Sequence, residues 1–192
     1  MDKHKEFIEE LDRIKDEEIR RFTEECLNRS PSHFWYRPAS STGKYHSPEE
    51  NEVGGLILHT KRVCSAAEIL IDAWMEPIDK EIIRSACILH DICKYGTGSS
   101  STRWTLSNHP QLGSNFLREV GRDKYDQSKV NAIANAVAFH SGRWGKTFEK
   151  KDENLLVHLA DVVATKLYEE ASIWRKNLTK ESTRQDEDIR VV

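Results

Sequence analysis

The sequence predicts an all-α fold, a bundle of about five core helices with an extra helix at the N-terminus. Apolar residues recur at three- and four-residue steps along most of the chain, which is the period of a helix with one buried face. No segment has the alternating pattern of a β-strand, and no internal repeat is apparent. A length of 192 residues allows one domain with its own hydrophobic core.

The N-terminal region, residues 1–30, is predicted to pack on the core as a single helix from residue 2 to about residue 28. Ser30-Pro31 ends that helix, since proline removes a backbone donor. Residues 31–50 contain three prolines but also three consecutive aromatic residues, so they are predicted to form an irregular, packed connector. The apolar face of the helix consists of Phe7, Leu11, Ile14, Phe22 and Cys26.

Five core helices are predicted within the main domain, residues 31–176, and a polar, flexible tail follows at residues 177–192. Asp79 is a predicted N-cap, and a proline suits the first turn of a helix that begins at His109. A loop rich in glycine and serine is predicted after the second of these helices, and another loop after the fourth. The helices are predicted from Gly54 to near Met75, from Asp79 to Lys94, from His109 to about Val120, over residues 128–140, and from about Asp152 to Trp174.

Composition and charge exclude several classes of protein. The formal net charge of −3 provides no basic surface for coating duplex nucleic acid or binding a membrane. No apolar run approaches the roughly 20 residues of a membrane-spanning helix, and the acidic N-terminus is unlike a signal peptide. The four cysteines include no CxxC pair, and Cys64 and Cys87 are predicted to be small core residues. We therefore expect a cytoplasmic protein; a homodimer is left open.

Histidine and aspartate recur in an order that suits metal binding. Neutral imidazole and carboxylate suit Zn, Mn, Fe, Co or Ni, and the absence of paired thiolates argues against a structural zinc site. Four imidazoles and two carboxylates on successive helices provide enough ligands for two neighbouring ions. The candidates are His59, His90, Asp91, His109, His140 and Asp161.

An isolated histidine is more often an ordinary core or surface residue than a ligand, so the context of these residues matters. Asp161 lies among apolar neighbours in its helix, where an unpaired carboxylate would be costly. His90 and Asp91 are adjacent, and Lys94 follows on the same helical face. His158 is a spare ligand or a supporting group, and His46 is a substrate contact, a ligand or only a loop residue.

Basic residues near these ligands are candidates for binding a phosphate group. Lys94 can meet a phosphate oxygen, and Arg62, three residues after His59, can clamp an anion. Three further candidates lie in loops near Trp104 and Trp144, on whose rings bases can stack: Arg103, Arg143 and Lys146. The alternative is that these three are ordinary surface residues that only contact solvent.

Five segments resemble the HD-domain metal-dependent phosphohydrolases: GGLILHTKRV, ILHDICK, NHPQLG, AFHSG and HLADVVAT. The resemblance covers about residues 44–170. With its two intervening histidines, His109 and His140, the sequence resembles the branch of the family that holds a binuclear metal centre, as in HD-type exoribonucleases and cyclic-dinucleotide phosphodiesterases. YHSPEENEVGGLILHT is particularly similar to the exoribonuclease segment. The exoribonucleases usually have an additional OB-fold domain, and no such domain fits before residue 44. We therefore expect a nucleotide or short oligonucleotide substrate and not processive degradation of RNA.

The resemblance implies that His59, His90, Asp91 and Asp161 hold one divalent transition-metal ion. Asp91 would bridge to a second ion held by His109 and His140, and a water acidified by both ions would attack the phosphate ester. Lys94 would neutralise developing charge, so Asp91 and Lys94 are the implied catalytic residues. Cys93 departs from the family, which often has glycine there. The expected substrate-binding residues are His46, Arg62, Arg103, Arg143 and Lys146.

The sequence leaves two alternatives to a phosphohydrolase open. The same six ligands resemble the mixed-valent di-iron oxygenases, which cleave C–C or C–P bonds in small polyols and phosphonates. Iron content and dependence on dioxygen would separate an oxygenase from a hydrolase. A binding module that has lost catalysis is the other alternative, although such decay usually removes ligands and all six are present.

Overall fold

The computed structural model describes residues 3–43, 46–98, 102–142 and 150–166. These residues form helices joined by turns and loops, with no β-strand among them, so the predicted all-α bundle is confirmed. Short 3₁₀ helices cover Lys3–Phe7, Ser32–Trp35 and Glu49–Asn51. The α-helices are α1 (Ile8–Leu11), α2 (Glu17–Arg29), α3 (Gly55–Ala73), α4 (Lys80–Leu89), α5 (His109–Gly121), α6 (Gln127–Phe139) and α7 (residues 152–166).

The prediction of one continuous N-terminal helix is wrong, because the chain turns between α1 and α2. The Asp16 side chain accepts hydrogen bonds from the backbone N–H groups of Glu18, at 2.9 Å, and Ile19, at 3.0 Å, and so starts α2 as an N-cap. Ile14 is buried in the turn itself, so the apolar period continues across a segment that is not helical. The interruption therefore costs no buried apolar surface.

Helix α4 begins as predicted but ends earlier. Asp79 accepts hydrogen bonds from the backbone N–H groups of Glu81 and Ile82, which confirms it as the N-cap. The helix ends at Leu89 rather than Lys94, and turns replace the last predicted helical turns. The Lys94 N–H donates to the Asp91 carbonyl at 2.9 Å within these turns.

The start of α3 depends on two consecutive glycines. Gly54 has a φ of +79°, the left-handed conformation that glycine adopts without strain. A Cβ on Gly55 would lie only 2.0 Å from the carbonyl oxygen of Glu50, so the backbone of residue 50 can press against the first turn of α3. This contact brings Glu50 close to the helix that carries His59.

One hydrophobic core extends through the described part of the chain. Helix α4 packs against α2, α3 and α6, and α5 packs against α6. Residues of the N-terminal segment, among them Phe7, Leu11 and Phe22, belong to this same core. A buried hydrogen bond of 2.7 Å between the hydroxyls of Thr23 and Ser85 also joins α2 to α4. The predicted tail and the predicted helical residues 167–174 lie outside the described residues.

The four cysteines are buried and form no disulfide. Cys64 and Cys87 are confirmed as core residues, and burial raises the pKa of the Cys93 thiol to about 12. Among the residues that the structure describes, no helix combines the length and apolar character needed to cross a membrane. The cytoplasmic location stays a prediction.

Candidate metal centre

Five imidazole rings form a continuous row inside the bundle. They come from separate parts of the chain: the loop before α3, α3 itself, the ends of α4 and α6, and the first residue of α5. Successive ring centroids lie 4.6, 5.5, 5.2 and 5.1 Å apart. The order along the row is His46, His59, His90, His140 and His109. The fold therefore gathers histidines that are far apart in sequence.

Backbone carbonyls orient three of these rings. The Nδ1 atoms of His90, His109 and His140 lie 2.8, 2.6 and 2.7 Å from the carbonyl oxygen three residues earlier. A carbonyl only accepts, so each Nδ1 carries the proton and donates it. The lone pair of each ring is then on Nε2, the atom that faces the cluster. These three rings are fixed in the tautomer that a metal ligand needs.

The Asp91 carboxylate lies at the middle of the cluster with only 2% of the residue exposed. Its Oδ1 atom is 3.0 Å from His109 Nε2 and 3.6 Å from His140 Nε2. Its Oδ2 atom is 3.4 Å from His90 Nε2 and 2.6 Å from Lys94 Nζ. Burial alone would raise the pKa of this carboxyl, but Lys94 and His90 outweigh burial and hold it well below its usual range. The two oxygens thus face two different groups of nitrogen atoms.

His59 and Asp161 form the other side of the cluster. His59 Nε2 lies 3.1 Å from Asp161 Oδ1. Burial opposes a charged imidazole, but the carboxylates of Asp161 and Glu50 outweigh it and raise the pKa of His59 to about 9. The pKa of Asp161 is lowered well below its usual range: burial would raise it, and His59 more than offsets that effect. This side of the cluster therefore favours positive charge.

Several buried polar atoms of the cluster have no hydrogen-bond partner, which is the strongest sign that an ion belongs there. An unsatisfied buried polar group costs about 1–3 kcal/mol, and here such groups converge on one place. Two ligand atoms bound to one ion at about 2.1 Å lie roughly 3.0–3.5 Å apart, which matches the 3.0–3.6 Å separations around Asp91. The unpartnered atoms around Asp91 are His59 Nε2, His90 Nε2 and Asp91 Oδ1.

Two sets of ligand atoms meet at Asp91. The first joins His59 and His90 to Asp91, the second joins His109 and His140 to Asp91, and all ligand atoms within each set lie within 4.8 Å of one another. The donors are imidazole nitrogen and carboxylate oxygen, which suit divalent transition metals. The residues present thus fit metal ions.

Comparison with known families agrees with this geometry. A family model for the HD domain matches residues 56–166, more than half of the 192-residue chain. The chain belongs to the HD-domain family. HD domains are mostly metal-dependent hydrolases and make up a superfamily of metal-dependent phosphohydrolases. No curated protein and no solved structure matches the chain.

The HD domain brings all six predicted ligands into one cluster, together with Lys94. His46 is also there, with its ring against His59. His158 has another role, since its Nδ1 donates to the His140 carbonyl at 2.7 Å and so supports the backbone of that candidate ligand. The assignment of individual ligands to individual ions stays a prediction.

The predicted substrate-binding residues are placed differently from one another. The Arg62 guanidinium is directed at protein groups, with Nη1 2.9 Å from Glu50 Oε1 and 2.7 Å from Ser47 Oγ. Arg103 lies over the exposed ring of Trp104. Arg143 and Lys146, with Trp144, lie outside the described residues. Contact between substrate and any of these residues stays a prediction.

The sequence did not single out Glu50, a fully buried carboxylate beside the cluster of histidines and aspartates. His46 Nδ1 donates to Glu50 Oε2 at 3.0 Å, and His59 Nδ1 lies 3.8 Å from Glu50 Oε1. A signal was available, because Ser47 and Glu50 have the S-x-x-E spacing of a capping box, and each accepts a hydrogen bond from the other's backbone N–H. That motif predicts a helix start, but it does not predict burial.

A cavity of about 920 Å³ lies apart from this cluster, beside the N-terminal segment. Its lining includes Lys3, Trp35 and Ile57 and none of the clustered histidines or carboxylates. The position of the candidate metal centre therefore follows from the geometry of its histidines and carboxylates and not from the size of a cavity.

Proposed function

We propose that the chain is a metal-dependent phosphohydrolase with a binuclear centre, which cleaves a phosphate ester in a nucleotide or short oligonucleotide. The observation that carries the proposal is the division of the Asp91 carboxylate, with Oδ1 toward His109 and His140 and Oδ2 toward His90. A carboxylate placed between two sets of nitrogen ligands is suited to bridge two ions.

Each ion would have its own ligands in addition to Asp91. His59, His90 and Asp161 would hold one ion, and His109 and His140 would hold the other. Divalent ions bound there would polarise the phosphate ester and lower the pKa of a bound water. The hydrogen bonds from Nδ1 to backbone carbonyls keep the Nε2 lone pairs of the three helix-end histidines directed inward.

Lys94 is suited to act on the charge of the phosphoryl group. Its ammonium is buried and lies 2.6 Å from Asp91 Oδ2. Burial alone would lower the pKa of Lys94, but Asp91 and Asp161 outweigh it and raise the pKa above its ordinary value. The side chain therefore stays protonated at neutral pH. A fixed ammonium in a water-poor site stabilises negative charge as it develops on the phosphate oxygens.

A nucleotide is favoured as the substrate by the loop that precedes α5. Arg103 lies 5.2 Å from the ring centroid of Trp104, and Trp104 is 55% exposed, so a planar base can stack there. The same loop leads to His109, whose Nδ1 donates to the Leu106 carbonyl. The net charge of −3 suits a small anion bound by a few local basic groups better than a long polyanion.

The experiment is hydrolysis of a panel of phosphomonoesters, phosphodiesters and phosphonates by protein reconstituted with Mn²⁺, Co²⁺ or Fe²⁺. Each reaction is run with and without dioxygen. We expect cleavage of a nucleotide ester without dioxygen, and loss of cleavage in Asp91→Ala. Turnover that requires dioxygen, with no ester cleaved under any metal, would replace this proposal with the oxygenase.

A further inference from the structure

We infer that Glu50 is a positioning residue of the metal centre: its buried carboxylate orients His59 so that Nε2 faces the metal. The inference rests on metal binding by the cluster, as in the proposed function. It adds a residue outside the six predicted ligands and outside the matched range 56–166.

The backbone around Glu50 is held from several sides. The Ala39 N–H donates to the Glu50 carbonyl at 2.8 Å, and the Glu50 N–H donates to Ser47 Oγ at 3.2 Å. Gly55 touches the Glu50 backbone, since a Cβ at that position would clash with it. The carboxylate is therefore delivered to a fixed place beside the first turns of α3.

Burial distinguishes Glu50 from an ordinary capping-box residue. A capping-box glutamate usually lies at the surface of its helix, but Glu50 is 0% exposed. A buried carboxylate is costly unless other groups compensate for its charge. Here Arg62 Nη1 lies 2.9 Å from Oε1, and His46 Nδ1 donates to Oε2 at 3.0 Å. Oε1, besides its ion pair with Arg62, faces His59 Nδ1 at 3.8 Å, and that nitrogen has no hydrogen-bond partner.

The position of His59 in its helix explains why it needs a carboxylate. His90 and His140 lie at helix C-termini, where the carbonyls of the last turn have no helical partner and can accept from Nδ1. His59 lies inside α3, where the carbonyls of the preceding turn accept helical hydrogen bonds. The Leu56 carbonyl, three residues before His59, also accepts from Thr60 Oγ1 at 2.8 Å, and His59 Nδ1 has no hydrogen-bond partner. Glu50 Oε1 lies 3.8 Å from this Nδ1, outside the helix, where the carboxylate of a carboxylate–histidine–metal arrangement would lie.

A third metal ion is a weaker interpretation of the same residues. The ligand atoms of His46, Glu50 and His59 do lie within 4.8 Å of one another. However, the Arg62 guanidinium already provides a positive charge 2.9 Å from Glu50 Oε1. A further cation would be repelled by it. The carboxylate is therefore assigned to orienting His59.

The test compares Glu50→Gln with Glu49→Gln, which makes the same chemical change one residue away. Glu49 is also near Arg62, at 3.6 Å, but its side chain is 64% exposed. Mn²⁺ binding is measured by calorimetric titration, together with the Mn²⁺ concentration that gives half-maximal activity. We expect Glu50→Gln to weaken metal binding by about 10–100-fold, the usual effect of losing such a partner, and to keep most of the activity at saturating Mn²⁺. Glu49→Gln should bind like the wild type.

The outcomes separate this inference from the proposed function. Wild-type protein that binds no metal would remove the basis of both. Wild-type protein that binds Mn²⁺ while Glu50→Gln binds it equally well would overturn this inference alone.

A second measurement does not depend on whether Glu50→Gln folds. The Zn²⁺-loaded wild type is labelled with ¹⁵N-histidine, and His59→Asn assigns the His59 signals in long-range ¹H–¹⁵N spectra. We expect a protonated Nδ1 and a metal-bound Nε2 at His59. Metal binding through Nδ1 would overturn the inference.

Discussion

The buried pair of Asp91 and Lys94 gives a prediction that separates folding from metal binding. Their side chains meet at 2.6 Å, and both are almost fully buried. In metal-free protein, Asp91→Asn preserves the shape of the side chain and removes the charge that compensates the Lys94 ammonium. The variant therefore leaves a buried positive charge without its partner.

The size of this effect follows from the burial of the pair. Removing one partner of a buried ion pair costs about 3–5 kcal/mol. A chain of this length shifts its Tm by about 2–4 °C per kcal/mol, so metal-free Asp91→Asn should melt about 6–20 °C below the wild type. The deficit should shrink at higher pH, because Lys94 can release its proton and end the cost of an unpaired charge.

The double variant Asp91→Asn/Lys94→Met provides the control. Replacing both charges of a buried pair is often neutral for stability, so the double variant should recover most of the lost Tm. It should not recover metal binding, because the carboxylate ligand is still absent. The assay is thermal unfolding in a metal chelator, followed by metal analysis of each variant after reconstitution. Wild-type Tm in Asp91→Asn, or no recovery in the double variant, would refute the reasoning.

Three further predictions concern single residues. His109→Ala or His140→Ala should lose one metal per chain and keep the fold, measured by elemental analysis and circular dichroism; loss of both metals would contradict separate ligand sets. Lys94→Met should lower kcat by about 10²–10³-fold with little change in metal content, as expected for one lost charge donor. Hydrogen bonds from Lys129 and from backbone N–H groups lower the pKa of Asp16 in the folded protein. Asp16 therefore stabilises the fold at pH values above the pKa it has in the unfolded chain, and this stabilisation is lost as the pH falls through its pKa in the folded protein. Asp16→Asn should keep the cap and flatten this acid dependence in denaturant unfolding, while Asp16→Ala should also lose about 1 kcal/mol at neutral pH.

The six candidate ligands could be predicted because they are unusual residue types at recognisable places in helices. His90 and His140 end helices, His109 begins one, and Asp161 interrupts an apolar face. Sequence order, however, does not give distances. That the Asp91 oxygens face two sets of nitrogens depends on how α4, α5 and α6 pack, which only the structure describes.

Glu50 could not be predicted, because its neighbours conceal its burial. It lies in a run of polar residues, 49–52, which is typical of a solvated surface. The break before α2 was missed for the opposite reason, because Ile14 continues the apolar period through a turn. Arg62 was predicted to face an anion, and the buried Glu50 beside it explains its orientation in the structure. In each case the burial or orientation of the residue depends on contacts with residues distant in sequence, which the local sequence pattern does not predict.

The metal content of the wild-type chain tests the central claim most directly. The protein is purified without metal, reconstituted anaerobically with Mn²⁺ or Fe²⁺, freed of excess ion and analysed for metal per chain. Two sets of ligand atoms that share Asp91 predict about two ions per chain. A chain that binds no metal under any of these conditions would contradict the account.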